Sequence, residues 1–155
     1  MRIKPRKSFS KKINYPMFYI AYGSNLNKDR MKKRCPHALP FGGNYIEGFR
    51  LLFRSVATIV VDKKSILPCG IWKITEKCEA ALDRYEGYPD VYGKEYWEGS
   101  VDGKKYPFLI YIMNKEVRSI APPHPVYFER IKNGYKDFDL PLKYLRDHDQ
   151  LKIFF

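Results

Sequence analysis

Met17-Phe18-Tyr19-Ile20-Ala21-Tyr22-Gly23-Ser24-Asn25-Leu26 passes from an apolar run to a cluster of turn formers. Met17–Ala21 has the composition of a short buried strand, and Pro16 marks its start. Gly23, Ser24 and Asn25 are turn and N-cap residues, so the strand is expected to hand over to a short basic helix across Asn27–Arg34. A strand-to-helix turn collects unpaired backbone N–H groups at one point. Glycine lets a ligand approach the backbone closely, and a helix start can hold a carboxylate or an oxyanion. Ser24 and Asn25 add side-chain donors. The same tetrapeptide is also a common plain cap, and alone it does not separate the two readings.

Working outward, Pro36, Pro40 and Gly42-Gly43 read as a loop. Tyr45–Phe53 and Val56–Val61 have strand composition, Asp62–Ser65 reads as a turn, and Ile66–Ile74 as a further strand. Thr75 is placed to cap a helix, with Glu76 and Glu79 suited to its positive end. Cys78, Ala81, Leu82 and Tyr85 recur at helical spacing as one apolar stripe, and Gly87 with Pro89 ends it. Glu95–Val101 and Lys104–Met113 are joined by Asp102-Gly103, the signature of a tight hairpin. Asn114–His124 reads as a loop containing Ala121-Pro122-Pro123. Pro125 opens a helix through Asn133, closed by Gly134, and Pro141 opens a last helix over Leu142–Asp149. Strand-rich with scattered helices, the chain is predicted to be α+β, with a small mixed or antiparallel barrel-like sheet and short helices around it.

Glu86 lies eight residues past Cys78 and continues that helix's apolar stripe on its last turn. Burial disfavours a charged carboxylate there, and so does the negative end of the helix dipole. Both raise its pKa toward the range useful for proton transfer near neutral pH. Tyr85, Tyr88 and Tyr92 are available to wall it in. An exposed helix-end glutamate fits the same spacing equally well.

Other candidates carry less. Ser24 lacks the G-x-S-x-G context of a nucleophile elbow, and His37, His124 and His148 show no partner acid in sequence. Cys35-Pro36-His37 offers two metal ligands where a closed zinc site needs four. Asp83-Arg84 reads as the solvated face of the helix, and Arg50 and Arg54 as surface residues.

The bulk composition sets the frame. The chain has 155 residues, 45% of them hydrophobic and 16% aromatic, with 13 tyrosines. That is one ordinary domain with enough apolar material for a core, which excludes a disordered chain. The net charge of +12 is concentrated early, since residues 1–34 hold eleven Lys or Arg against one acid, Asp29. Residues 1–15 therefore read as a basic, flexible arm preceding a single domain over residues 16–155. Contact of the arm with polyanions is the minority reading, and no specific nucleic-acid partner is expected. Three cysteines, Cys35, Cys69 and Cys78, without C-x-x-C spacing give neither a disulfide framework nor a zinc site. No leader peptide or membrane span is expected, and a cytoplasmic location is the default.

The motifs together resemble the γ-glutamyl cyclotransferase-like family (AIG2-like). Phe18–Leu26 is similar to its opening strand and Y-G-S-N-L loop. Ala57-Thr58-Ile59 and Gly70-Ile71-Trp72 are similar to its central strands. Leu82-Asp83-Arg84-Tyr85-Glu86-Gly87-Tyr88 resembles its L-D-x-x-E-G segment, and Ala121–Tyr127 with Ile131 and Gly134 its late Pro-rich loop and helix. The likeness spans about Met17–Leu145. It implies a cofactor-independent, metal-free enzyme that converts a γ-glutamyl amide into 5-oxoproline and a free amine or amino acid. It further implies that Tyr19, Ile20, Ala21, Tyr22, Gly23, Ser24, Asn25 and Leu26 form the substrate loop. Glu86 would be the acid/base, and Tyr127 a tyrosine reaching the site. A small-molecule substrate and a monomer or homodimer are expected. The alternatives are trimming of a γ-glutamyl group from a larger intermediate, or a non-catalytic module whose arm binds polyanions.

Overall fold

In the computed structural model, residues 1–5, 13–115 and 117–155 are described. The elements run β1 (Arg2–Lys4), β2 (Met17–Ala21), α1 (Lys28–Arg34), β3 (Leu39–Arg54), β4 (Val56–Ile74), α2 (Glu76–Glu86), β5 (Tyr92–Val101), β6 (Lys104–Met113), α3 (Pro125–Asp137) and α4 (Lys143–Arg146). Single 3-10 turns cover Ser24–Leu26 and Asp149–Phe154.

One six-stranded sheet has the order β1-β5-β6-β2-β4-β3. β2 pairs antiparallel with β4 and parallel with β6, and the remaining pairs are antiparallel. The sheet is mixed and strongly curled, as right-handed strand twist favours. Phe49 of β3 and Trp97 of β5, with three strands between them in that order, bring their rings to 5.1 Å across the interior. The result is the α+β, nearly closed barrel with short helices that the strand-rich pattern predicts. All five residues of β2 are buried, as expected of an apolar strand flanked on both sides.

Local chemistry explains most boundaries. Thr75 Oγ1 accepts a bond from the Cys78 amide and Gly87 closes α2 in the left-handed region at φ 65°. Such a cap contributes about 1 kcal/mol. Cys78 and Leu82 turn inward, and full burial of a Leu-sized side chain is worth roughly 2 kcal/mol. Asp102 and Gly103 both have positive φ, as the tight turn between β5 and β6 demands.

Four readings are corrected. Pro40 and Gly42-Gly43 lie within β3 rather than in a loop; β3 is an edge strand, where the missing proline N–H is tolerated. Asp62–Ser65 is not a break between strands but a bulge inside β4, where the register jumps between Glu47↔Ile66 and Phe49↔Val61. Its turn chemistry is present, since Asp62 accepts from the Lys64 amide and the Ser65 hydroxyl. α3 continues past Gly134 to Asp137. A Cβ at Gly134 would stand 2.5 Å from Leu26 Cβ and 2.8 Å from the Asn27 amide nitrogen. Gly134 therefore serves close packing of α3 on the turn at Leu26 and Asn27, not helix termination. The basic arm begins with an ordered strand, because Arg2–Lys4 pairs with Glu98–Ser100 of β5. Most of its remaining charge, on residues 6–12, lies outside the described residues.

Candidate active site

β2, α2, β6 and α3 converge on a cavity of about 270 Å³. The turn Tyr22-Gly23-Ser24-Asn25 forms one wall and Glu86 another, with Tyr19, Tyr92, Tyr111 and Tyr127 between them. The turn enters directly from β2 and is pinned from behind, where Trp72 Nε1 donates to the Asn25 carbonyl at 3.0 Å. Tyr22 Oη donates to the Tyr111 carbonyl at 2.5 Å, tying the turn to β6.

Asn25 is the hub. Its Nδ2 lies 3.0 Å from Tyr19 Oη and 3.5 Å from Glu86 Oε1, and its Oδ1 accepts from the Arg34 guanidinium. Arg34 ends α1 and lies over the Tyr85 ring, 3.4 Å from its centroid. Tyr85 Oη stands 3.3 Å from Ser24 Oγ, so α2 and the turn touch at two places. Opposite them, Ala57 is bracketed by two phenols. Its N–H donates to Tyr127 Oη at 3.0 Å, and its carbonyl accepts from Tyr92 Oη at 2.6 Å.

Burial pushes the Glu86 carboxyl up to about 7, against the opposing pull of the Arg34 cation. A group at that value is part protonated at neutral pH and can accept or donate a proton. Burial, with a further contribution from Glu86, raises the phenols of Tyr19 and Tyr92, so both stay neutral. The cysteines are poor nucleophiles here: burial pushes the Cys35 and Cys69 thiols up to about 12. His124 and His148 accept backbone bonds as helix caps. Among the described residues no group of three or more His, Cys, Asp or Glu side chains is placed to hold a metal ion. None of the described helices is long and apolar enough to cross a membrane.

Besides Glu86, Tyr19, Tyr22, Gly23, Ser24, Asn25 and Tyr127 of the expected substrate residues line the cavity, and so do Tyr85 and Tyr92, but not Tyr88, of the tyrosines available to wall in Glu86. Ile20, Ala21 and Leu26 do not. They belong to the core, with Leu26 packed behind the turn against the Gly134 backbone. Site residues not foreseen include Arg34, bonded to Asn25, and the cavity-lining Tyr111, Arg118 and Arg84, the last of which reads in sequence as part of the solvated helix face. Arg34 looks in sequence like a routine basic helix end, and Tyr111 like one more strand aromatic. Asp83 is not a solvated side chain either, since it accepts from Lys94 and from Tyr111 Oη at 2.6 Å. A larger cavity of about 620 Å³ lies between Arg50, the β4 bulge and His148, away from all of these residues.

Known proteins resemble this chain in sequence and fold. Residues 19–132 match the family described as Gamma-glutamyl cyclotransferase, AIG2-like. The chain is 30% identical over 140 residues to the gamma-glutamylcyclotransferase of Homo sapiens, covering 81% of this chain and 73% of the human protein. It is 29% identical over 143 residues to that of Bos taurus, with the same coverage. A solved structure titled gamma-glutamyl cyclotransferase superposes with a TM-score of 0.72 at 28% identity, over 88% of this chain and 85% of that one. The chain belongs to the γ-glutamyl cyclotransferase, AIG2-like, family.

Proposed function

We propose that this protein is a γ-glutamyl cyclotransferase in which Glu86 is the general acid/base. The observation that carries this reading is the placement of Glu86 beside Asn25, facing the Tyr22–Asn25 turn across a cavity of substrate size. The substrate brings its own nucleophile. Its α-amine attacks the γ-carbonyl and closes a five-membered ring, so proximity is built into the molecule and no enzyme nucleophile is needed. Glu86 takes a proton from the α-ammonium, then returns one to the leaving nitrogen as the C–N bond breaks. The products are 5-oxoproline and a free amine or amino acid. A carboxyl near 7 suits both transfers.

The turn supplies the electrostatic part. The 3-10 turn Ser24–Leu26 starts without a side-chain cap, and its leading N–H groups are assigned to the oxyanion that develops on the γ-carbonyl. Asn25 holds Glu86 in place, and Tyr127, fixed by the Ala57 amide, bounds the γ-glutamyl end of the cavity.

Incubation with a mixed pool of γ-glutamyl peptides and γ-glutamylamines, read by mass spectrometry, is expected to yield 5-oxoproline. The Glu86→Gln protein should yield almost none. Absence of 5-oxoproline with every donor, or full turnover by the variant, would overturn the reading.

A further inference from the structure

The helix that carries Glu86 is held by a largely buried charge network on an adjoining face. Glu79 and Asp83, one turn apart on α2, both reach Lys94 of β5. The Lys94 Nζ distances are 2.9 Å to Glu79 Oε2 and 2.8 Å to Asp83 Oδ2. Glu79 is only 5% exposed, which is unusual for a glutamate, and it also accepts from the hydroxyls of Tyr15 and Tyr96. Asp83 accepts from Tyr111 Oη at 2.6 Å. The Tyr111 side chain lines the cavity, and its carbonyl holds Tyr22 of the substrate turn. Lys94 also lies over the Tyr88 ring, at 4.4 Å, just past the end of α2.

We propose that Lys94 and Asp83, through Tyr111, are positioning residues that set the rotation of α2 and thereby the placement of Glu86 against the substrate turn. The inference rests on the acid/base reading of Glu86.

Geometry gives the reason. Asp83 and Glu86 are three residues apart, so they lie on adjoining faces of one helix turn. Lys94 and Tyr111 pin Asp83 from two directions, and Glu86, on the same helix turn, follows it. Apolar packing alone leaves a helix free to roll slightly. Two carboxylates sharing one ammonium resist that roll, because moving away strips each of its cation partner in a largely buried setting. Burial opposes the Lys94 charge, but its bonds to Asp83 and Glu79 prevail and hold its pKa above the ordinary lysine value. Lys94 is therefore charged throughout the working range. A displacement near 1 Å at a reacting group can cost about 100-fold in rate.

The test is kinetic. Lys94→Met, assayed on whichever γ-glutamyl donor the native enzyme turns over, should lower kcat about 10- to 100-fold and leave KM within about twofold. Lys94→Arg, which can still bridge both carboxylates, should recover most of the loss. The pH profile supplies a readout that general destabilisation does not move. Glu86 is faced by Arg34 of α1, Tyr19 of β2, Tyr22 of the turn, Tyr92 of β5 and Tyr127 of α3. A rolled helix loosens that enclosure, so the acid limb of kcat/KM should move down toward an ordinary carboxylate.

Lys105→Met, which removes the exposed pair with Glu98, serves as the control and should leave kcat unchanged. If Lys94→Met does not fold, Tyr111→Phe and Asp83→Asn each remove one link and are read in the same way. A folded clamp variant with native kcat and an unmoved acid limb overturns the proposal. That result leaves the acid/base role intact, whereas full activity of Glu86→Gln removes that role itself.

Discussion

Asn25 Nδ2 stands 3.5 Å from Glu86 Oε1 and 3.0 Å from Tyr19 Oη, so one amide group ties the Tyr22–Asn25 turn to the end of α2. Truncating it should be costly in two ways. Asn25→Ala leaves Tyr19 Oη without its donor and the Arg34 guanidinium without its acceptor, for a stability loss of about 1–3 kcal/mol. It also frees the Glu86 carboxyl, so kcat should fall at least about 10-fold on any γ-glutamyl donor. Denaturant titration and steady-state kinetics on the same preparation check both. Native values in either would argue against the hub role.

Stability should carry the mark of Glu86. Its folded pKa, about 7, lies above the ordinary 4.5 because burial penalises the anion. Between those values the folded protein holds a proton that the unfolded chain has released. Stability from this group is thus fully present below pH 4.5, falls as pH rises through 7, and levels off above. Glu86→Gln removes the penalty. The variant should be more stable than the native protein by on the order of 1–3 kcal/mol near pH 8, and no more stable near pH 4. Urea unfolding at both pH values tests the sign, and a gain largest in acid would contradict it.

Arg34 has a distinct signature. Its cation opposes the effect of burial on Glu86. Removing it in Arg34→Met should raise the Glu86 pKa further, and the acid limb of kcat/KM should shift upward by several tenths of a unit or more. Carboxyl NMR titration of Glu86 is the direct check. A downward or absent shift would show that the guanidinium is too well screened to matter.

Gly134→Ala addresses the support behind the turn. Its Cβ would meet Leu26 Cβ at 2.5 Å and the Asn27 amide nitrogen at 2.8 Å, both on or near backbone that cannot swing aside. A loss of about 1–3 kcal/mol is expected, despite alanine's better helix propensity. The turn should be displaced as well, so KM should rise. A stabilised variant would mean that α3 can move away without consequence.

Legibility in the sequence followed the range of the forces involved. β2, α2 with its Thr75 and Gly87 caps, and the Asp102-Gly103 hairpin are set by neighbours within a few positions, and each could be read directly. The helical stripe running into Glu86 allowed a buried or an exposed carboxylate equally, and only the packing of α2 against the Tyr22–Asn25 turn encloses it. The strand order was not, since pairing β2 in parallel with β6 depends on residues ninety positions apart. Gly134 was misread because its local meaning, a helix stop, was overridden by contact with Leu26. Glu79 and Asp83 look like ordinary solvated acids until β5 brings Lys94 between them. Arg34, too, takes its place only once α1 and α2 meet.

β2 has one further consequence. The β3–β4 and β5–β6 ladders join segments adjacent in sequence, whereas β2 is inserted between them and bonds to one strand of each. The Tyr22–Asn25 turn hangs from β2, Glu86 follows β4, and Tyr111 belongs to β6, so the cavity lies along the seam where the two ladders meet. Under rising denaturant that seam should part first, extinguishing turnover while both ladders still give their far-ultraviolet signal.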